Sequence, residues 1–249
     1  MNRDYIIGTG YYEDSEKDME FYQKYWLPNT LKYSSPQKIV VVNSGSPNRK
    51  VSDLENWIDL TTNPGPHANA PRDQNLLGGW NLGFIQGALY AYSCRCDFIY
   101  KEQDCLAFGN WITESQEALE TQKKLALVGK LKNWPDFPGS QGDFELCLVY
   151  LKFEHIINFL NELFSIPLGD MSCFCEKKFN MIGEKTNSIG EFGFGYGGNR
   201  PFVGTDPTFY IQKPRWWGKV NYVPASHLGG KGIPQEELDI LIKTGLLDE

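Results

Sequence analysis

The chain has no long apolar run, no excess of basic charge, few cysteines and no internal repeat. Each absence removes a class of protein. No apolar stretch approaches the roughly 20 residues that a membrane-spanning helix needs, so no transmembrane segment is expected. The start, Met1-Asn2-Arg3-Asp4-Tyr5-Ile6-Ile7, lacks the basic region and long apolar stretch of an export leader, which makes the cytoplasm the expected compartment. The 24 Lys and Arg are outnumbered by 31 Asp and Glu, for a net charge of −7. A protein that coats nucleic acid needs positive charge against phosphate, so no nucleic-acid partner is expected. The six cysteines fit reduced thiols. Cys94-x-Cys96 and Cys173-x-Cys175 together offer four thiols, but zinc sites space paired ligands more widely, and buried free thiols are the expectation.

What is present is globular. Hydrophobic residues make up 41% of 249 and charged residues 22%, enough for a sizeable core. Aromatics reach 14%, and serve both cores and stacking on sugars or bases. No low-complexity linker divides the chain, so a single domain over residues 1–249 is expected.

The patterning reads as α/β. Tyr5-Ile6-Ile7 is a short strand ending at Gly8-Thr9-Gly10. Ser15 caps a helix whose face holds Met19, Tyr22, Trp26 and Tyr33, with Pro28 set to kink or break it. The β-branched run Lys38-Ile39-Val40-Val41-Val42-Asn43 predicts a strand buried on both faces, as in a parallel sheet, ended by Ser44-Gly45-Ser46-Pro47. Trp57 to Leu60 predicts a third strand. A helix is expected from near Gly79 to Ser93, where Gly83 and Gly87 admit another backbone at close range. Cys96 to Tyr100 then predicts a strand that runs into the acidic turn Lys101-Glu102-Gln103-Asp104. Further on, Glu114 to Leu125 reads as helix, Ala126 to Val128 as strand, and Leu146 to Phe164 as strand followed by helix. Residues 170–218 read as loops with short strands. Pro234, Leu238, Leu241, Ile242 and a stop at Gly245 make a C-terminal helix.

A strand that ends in carboxylates directly after a long helix resembles the centre of a GT-A nucleotide-sugar-dependent glycosyltransferase. The resemblance rests on Asp97 to Asp104 and extends over roughly residues 4–110. It implies a Rossmann-like, mostly parallel sheet flanked by helices, with a nucleotide-sugar half over 1–110 and a loop-rich acceptor half over 111–249. It implies that Glu102-x-Asp104 stands where the family's Asp-x-Asp binds Mn²⁺ or Mg²⁺ and, through the metal, the donor diphosphate. It places Gly8, Thr9, Gly10 and Tyr11, read as a turn, and Asn43 and Ser44 at the nucleotide. It makes Asp143 or Glu145 the acceptor's base, by partial likeness of Gly142-Asp143 to the family's Gly-Glu-Asp segment, and His227 a third metal ligand. Beside the resemblance, Arg200, Lys213 and Arg215 are candidates for phosphate contact, since guanidinium forks match phosphate oxygens. Phe192, Phe194 and Tyr196, set among glycines, and Trp216-Trp217 suit either sugar stacking or packing. His67 is a candidate neighbour of the donor, and His155 reads as structural.

The implied activity is transfer of a hexose or pentose from a nucleoside-diphosphate sugar to a hydroxyl of a glycan or glycolipid. Inversion is favoured by the available base, with retention open. A nucleotidyltransferase is the enzymatic rival, although Gly8 to Glu13 lacks the basic residue such enzymes place at the first strand. A non-catalytic carbohydrate-binding protein is the rival from another class. The segment Lys177–Lys219 gathers seven Lys or Arg against three acids, locally +4, and leaves the rest of the chain at −11. Its basic and aromatic residues are expected to face the acids near 102–104.

Overall fold

A computed structural model describes residues 3–13, 16–60, 79–130, 144–166, 175–193, 195–196, 208–212 and 235–248. Seven strands form one sheet in the order β3-β2-β1-β4-β7-β6-β8. They are β1 (Tyr5–Tyr11), β2 (Lys38–Asn43), β3 (Glu55–Asp59), β4 (Asp97–Lys101), β6 (Ala126–Lys130), β7 (Phe144–Leu151) and β8 (Ile189–Glu191). Strands β3, β2, β1 and β4 are parallel; β7 runs against both β4 and β6, and β8 runs with β6. A second sheet joins β5 (Cys105–Phe108), β10 (Phe209–Gln212) and β9 (Gly195–Tyr196). The mixed, mostly parallel sheet with flanking helices is the expected α/β class.

Alternation along the strands builds two cores. Ile7, Tyr11, Ile39, Val41 and Ile99 face one way, toward α1 (Glu16–Phe21) and α2 (Leu27–Tyr33). Ile6, Val40, Val42, Phe98 and Tyr100 face the other, toward α3 (Gly79–Ser93) and α5 (Ile156–Ser165). Strand β2 is buried on both faces, the arrangement that its β-branched run predicts.

Three expectations are corrected. Gly8-Thr9-Gly10-Tyr11 is not a turn but the second half of β1. Glycine stands there because α3 crosses close over the strand: a Cβ on Gly83 would lie 3.0 Å from Cα of Gly10, and one on Gly8 would lie 2.6 Å from the Phe98 ring. Pro28 does not break the helix. A π-helical turn, Tyr22–Trp26, precedes it, and the chain continues into α2 with Pro28 in the first turn, where a missing N–H costs least. Residues 170–218 are not only loops and strands, since α6 (Cys175–Thr186) buries Phe179 and Ile182. The helix expected from Glu114 is α4 and spans Trp111–Thr121.

The C-terminal helix α7 (Gln235–Lys243) ends at Gly245, whose φ of 73° closes a left-handed cap. Its following residues dock on α2, with the Tyr33 hydroxyl donating to Leu246 O at 2.9 Å. Cys175 donates to Asn81 near the start of α3, whereas Cys94 follows that helix's end, so about 20 Å of helix separates the two. Cys94 and Cys175 therefore cannot share one ion, and Cys173 lies outside the described residues. No described helix is long and apolar enough to cross a membrane.

Candidate active site

Strand β1 has β2 on one side and β4 on the other, so the chain's crossovers diverge at this point. A crevice opens beyond the carboxyl ends of such strands, where open α/β sheets take ligands. The crest is built from the ends of four strands. Tyr11, Asn43 and Asp59 stand in one row, each opposite the next. The turn after β4 supplies Glu102, Gln103 and Asp104.

At the β2 end the Asn43 amide donates to Ser46 O at 2.6 Å and to Asp59 Oδ1 at 2.8 Å, and its Oδ1 accepts the Ser46 N–H at 3.0 Å. Asn43 and Ser44 are both buried, and the Ser44 N–H donates to Tyr11 O. Asn43 thus shapes the loop that follows β2. Tyr11 is buried and its hydroxyl donates to Glu13 at 3.1 Å; burial, with Glu13 alongside, raises its pKa. Arg49 grips Glu13 with two bonds, of 3.0 and 2.8 Å, and this fork holds the Glu13 carboxyl below its ordinary range.

The acidic turn is held at its first residue. The Glu102 N–H donates to Cys147 O at 2.9 Å, and Glu102 O accepts from the Trp26 indole at 2.6 Å and from the Cys105 N–H at 3.0 Å. Glu102 is buried, and Asp104 is half-buried. Beneath the turn lies Lys101, fully buried, with its ammonium 2.8 Å from Asn29 Oδ1 and 2.7 Å from Thr30 Oγ1, and 4.8 Å over the Trp26 ring. Burial pushes its pKa down to about 7. The Gln103 side chain ties the turn after β4 to the end of β1: the Tyr12 N–H donates to its Oε1 at 2.8 Å, and its Nε2 donates to Tyr12 O at 2.9 Å.

The residues expected at the site divide clearly. Tyr11, Asn43, Ser44, Glu102 and Asp104 meet on one crest, while Gly8, Thr9 and Gly10 lie within β1 below it. Glu145 is placed by its backbone, near the start of β7, which runs antiparallel and so begins at the same crest. Asp143, Arg200 and His227 lie outside the described residues, as do His67, Lys213, Arg215, Trp216 and Trp217. Gln212, which precedes Lys213, pairs with Cys105, which follows Asp104, so β10 stands beside the acids, whereas the described basic residues of the segment, Lys177, Lys178 and Lys185, lie on α6, which packs on β7, β8 and α5. His155 is buried against Phe159 and bonds Ser188, and burial lowers its pKa. Glu13, Trp26, Arg49, Asp59 and Gln103 escaped the sequence reading. Of these only Asp59, at the end of an expected strand, left a local signal.

Two carboxylates one residue apart suit a hard divalent cation, which commonly takes one or two protein carboxylates and completes its shell with water and phosphate. Among the described residues, no group of three or more His, Cys, Asp or Glu side chains is arranged to hold a metal ion.

Known structures share this fold. The galactosyltransferase LgtC, solved with donor and acceptor sugar analogs, superposes with a TM-score of 0.55 at 10% identity, over 98% of this chain and 96% of that one. The fold is that of a GT-A glycosyltransferase. Lesser similarities include the Streptococcus pneumoniae glycosyltransferase GlyE (TM-score 0.44, 10% identity, 78% of this chain and 46% of that one) and mouse xyloside xylosyltransferase 1 (TM-score 0.42, 11% identity, 75% and 83%). No family model matches the chain, and no curated protein matches it. In this sheet the turn after β4 sets Glu102 and Asp104 beside the carboxyl end of β1.

Proposed function

We propose that the protein is a metal-dependent glycosyltransferase that moves a sugar from a nucleoside-diphosphate sugar to a hydroxyl of a glycan or glycolipid. The observation that carries this is the Glu102-x-Asp104 turn at the switch point of a GT-A sheet. In the reaction the acceptor oxygen bonds the anomeric carbon, the bond from that carbon to the diphosphate breaks, and the hydroxyl proton leaves. Glu102 and Asp104 hold Mn²⁺ or Mg²⁺, which when bound neutralises charge on the departing diphosphate. Asn43 and Ser44 shape the nucleotide edge, and Arg49 fixes Glu13 beside it. Arg200 is assigned to the donor phosphates and His227 to the metal. Inversion requires a base on the acceptor side, and Asp143 and Glu145 are the candidates for it.

The test is a thermal-shift screen of UDP-, GDP- and dTDP-sugars with and without Mn²⁺, followed by transfer and donor-hydrolysis assays on Asp104→Ala. Binding to the native state raises the melting temperature by mass action, so a metal-dependent shift with one nucleotide is expected. Asp104→Ala is expected to lose transfer and hydrolysis while keeping its fold. A folded Asp104→Ala protein with unchanged transfer overturns the metal assignment. Donor binding without any transfer or hydrolysis, in the wild type, overturns the enzymatic reading in favour of a binding protein.

A further inference from the structure

We propose that Gln103, the middle residue of Glu102-x-Asp104, is a positioning residue that holds the two carboxylates in register with the tip of β1. This rests on the metal reading above. The turn from Glu102 to Cys105 is closed by the Cys105 N–H on Glu102 O, so Gln103 and Asp104 are its central residues. Glu102 is pinned from below and from the side by Trp26 and Cys147. Gln103 adds a tie to the tip of β1. Its carboxamide pairs with the Tyr12 backbone through both a donor and an acceptor, at 2.9 and 2.8 Å. Each of these bonds fixes distance, and the pair together fixes the rotation of the turn about the crevice.

The two ends so joined lie 91 positions apart in sequence and on either side of the switch point. A side chain that joins them outside the strand ends has no sheet hydrogen bond to replace. A glutamine makes the same pair of bonds at a second place among the described residues. Gln122 donates to Glu191 O at 2.6 Å and accepts the Glu191 N–H at 3.1 Å, at the β8 edge of the sheet. That edge is four strands from β1, about 19 Å at the usual strand spacing. Gln122 therefore provides a matched control, with the same bonds and no carboxylate pair to position.

The experiment measures Mn²⁺ alone, as MnCl₂, by the loss of the free-ion electron paramagnetic resonance signal as protein is added. Gln103→Met keeps the side-chain length and removes both bonds. It is expected to bind Mn²⁺ about 10- to 100-fold more weakly than wild type, the usual consequence of removing a group that orients a metal ligand. Gln122→Met is expected to bind as wild type, and both variants to keep wild-type circular dichroism. Equal Mn²⁺ binding by Gln103→Met and wild type overturns the positioning role and leaves the metal reading intact. Equal weakening in both variants also overturns it, since the effect is then general loosening. If wild type takes up no Mn²⁺, or Asp104→Asn takes up as much as wild type, the metal reading and this inference fall together.

Discussion

Gly8→Ala is expected to destabilise the protein although it adds only a methyl group. The new Cβ would stand 2.6 Å from Cε2 and 2.9 Å from Cζ of Phe98, about 1 Å inside normal contact. The ring has no room to retreat. Phe98 is fully buried, lies edge-on to Phe84 at 5.6 Å, and meets Gly87 beside Gly8, where an added Cβ would stand 2.8 Å from the same two ring atoms. Overpacking of this kind costs about 1–3 kcal/mol. Replacing glycine by alanine in a strand interior returns about 0.5–1 kcal/mol through the unfolded chain. The net expectation is a loss of about 1–2 kcal/mol, seen in urea unfolding as a lower midpoint at unchanged slope. Phe98→Leu removes the clashing ring atoms and alone costs on the order of 1–3 kcal/mol for the cavity it leaves. In the double variant the two losses should fall short of their sum by at least 0.5 kcal/mol, the lower end of coupling between residues in contact. Wild-type stability for Gly8→Ala, or additivity within about 0.3 kcal/mol, refutes the account of why glycine occupies β1.

Three further outcomes are expected. Trp26→Phe removes the indole donor from Glu102 O and should lower stability by about 1–3 kcal/mol in calorimetry, because that bond is buried; a change under about 0.5 kcal/mol argues that the turn is held without it. Arg49→Ala releases Glu13. Because the fork depresses the folded-state pKa, its stability contribution is present above the ordinary value of 4.5 and is lost as pH falls through the depressed value. Urea midpoints of variant and wild type should therefore differ at pH 7 and converge as pH falls well below 4.5, and a gap that persists in acid contradicts the ion pair as its source. The anomeric configuration of the product, read by proton NMR, tests the acceptor base: inversion with loss of transfer in Asp143→Asn or Glu145→Gln supports it, and retention removes it.

Much of the frame was legible because its signals are local. The β-branched run of β2, the glycines and bounds of α3, the strand-to-helix change after Leu151 and the stop at Gly245 all depend on neighbours within a few positions. Helix α6 escaped because its buried face is narrow and includes Lys178, which reads as surface. Strand β5 escaped because its partner, β10, comes more than a hundred positions later. Gly8 and Gly10 imitate a turn until α3 is laid over them. At the site, the acids were visible as a strand end, whereas Trp26, Arg49 and Gln103 act on residues 76, 36 and 91 positions away and leave no pattern to read.

The pairing of β5 with β10 bears on the order in which the protein can be made. As the chain emerges, the acidic turn and the apolar run Cys105-Leu106-Ala107-Phe108 appear early, but the edge that covers this run is not synthesised until residue 209. Strand β4 likewise waits for β7 on one side. A nascent or truncated chain ending between these points therefore displays bare strand edges, the usual template for wrong partners. The first 110 residues are thus expected to aggregate when expressed alone, and this half should need the later half as a folding partner.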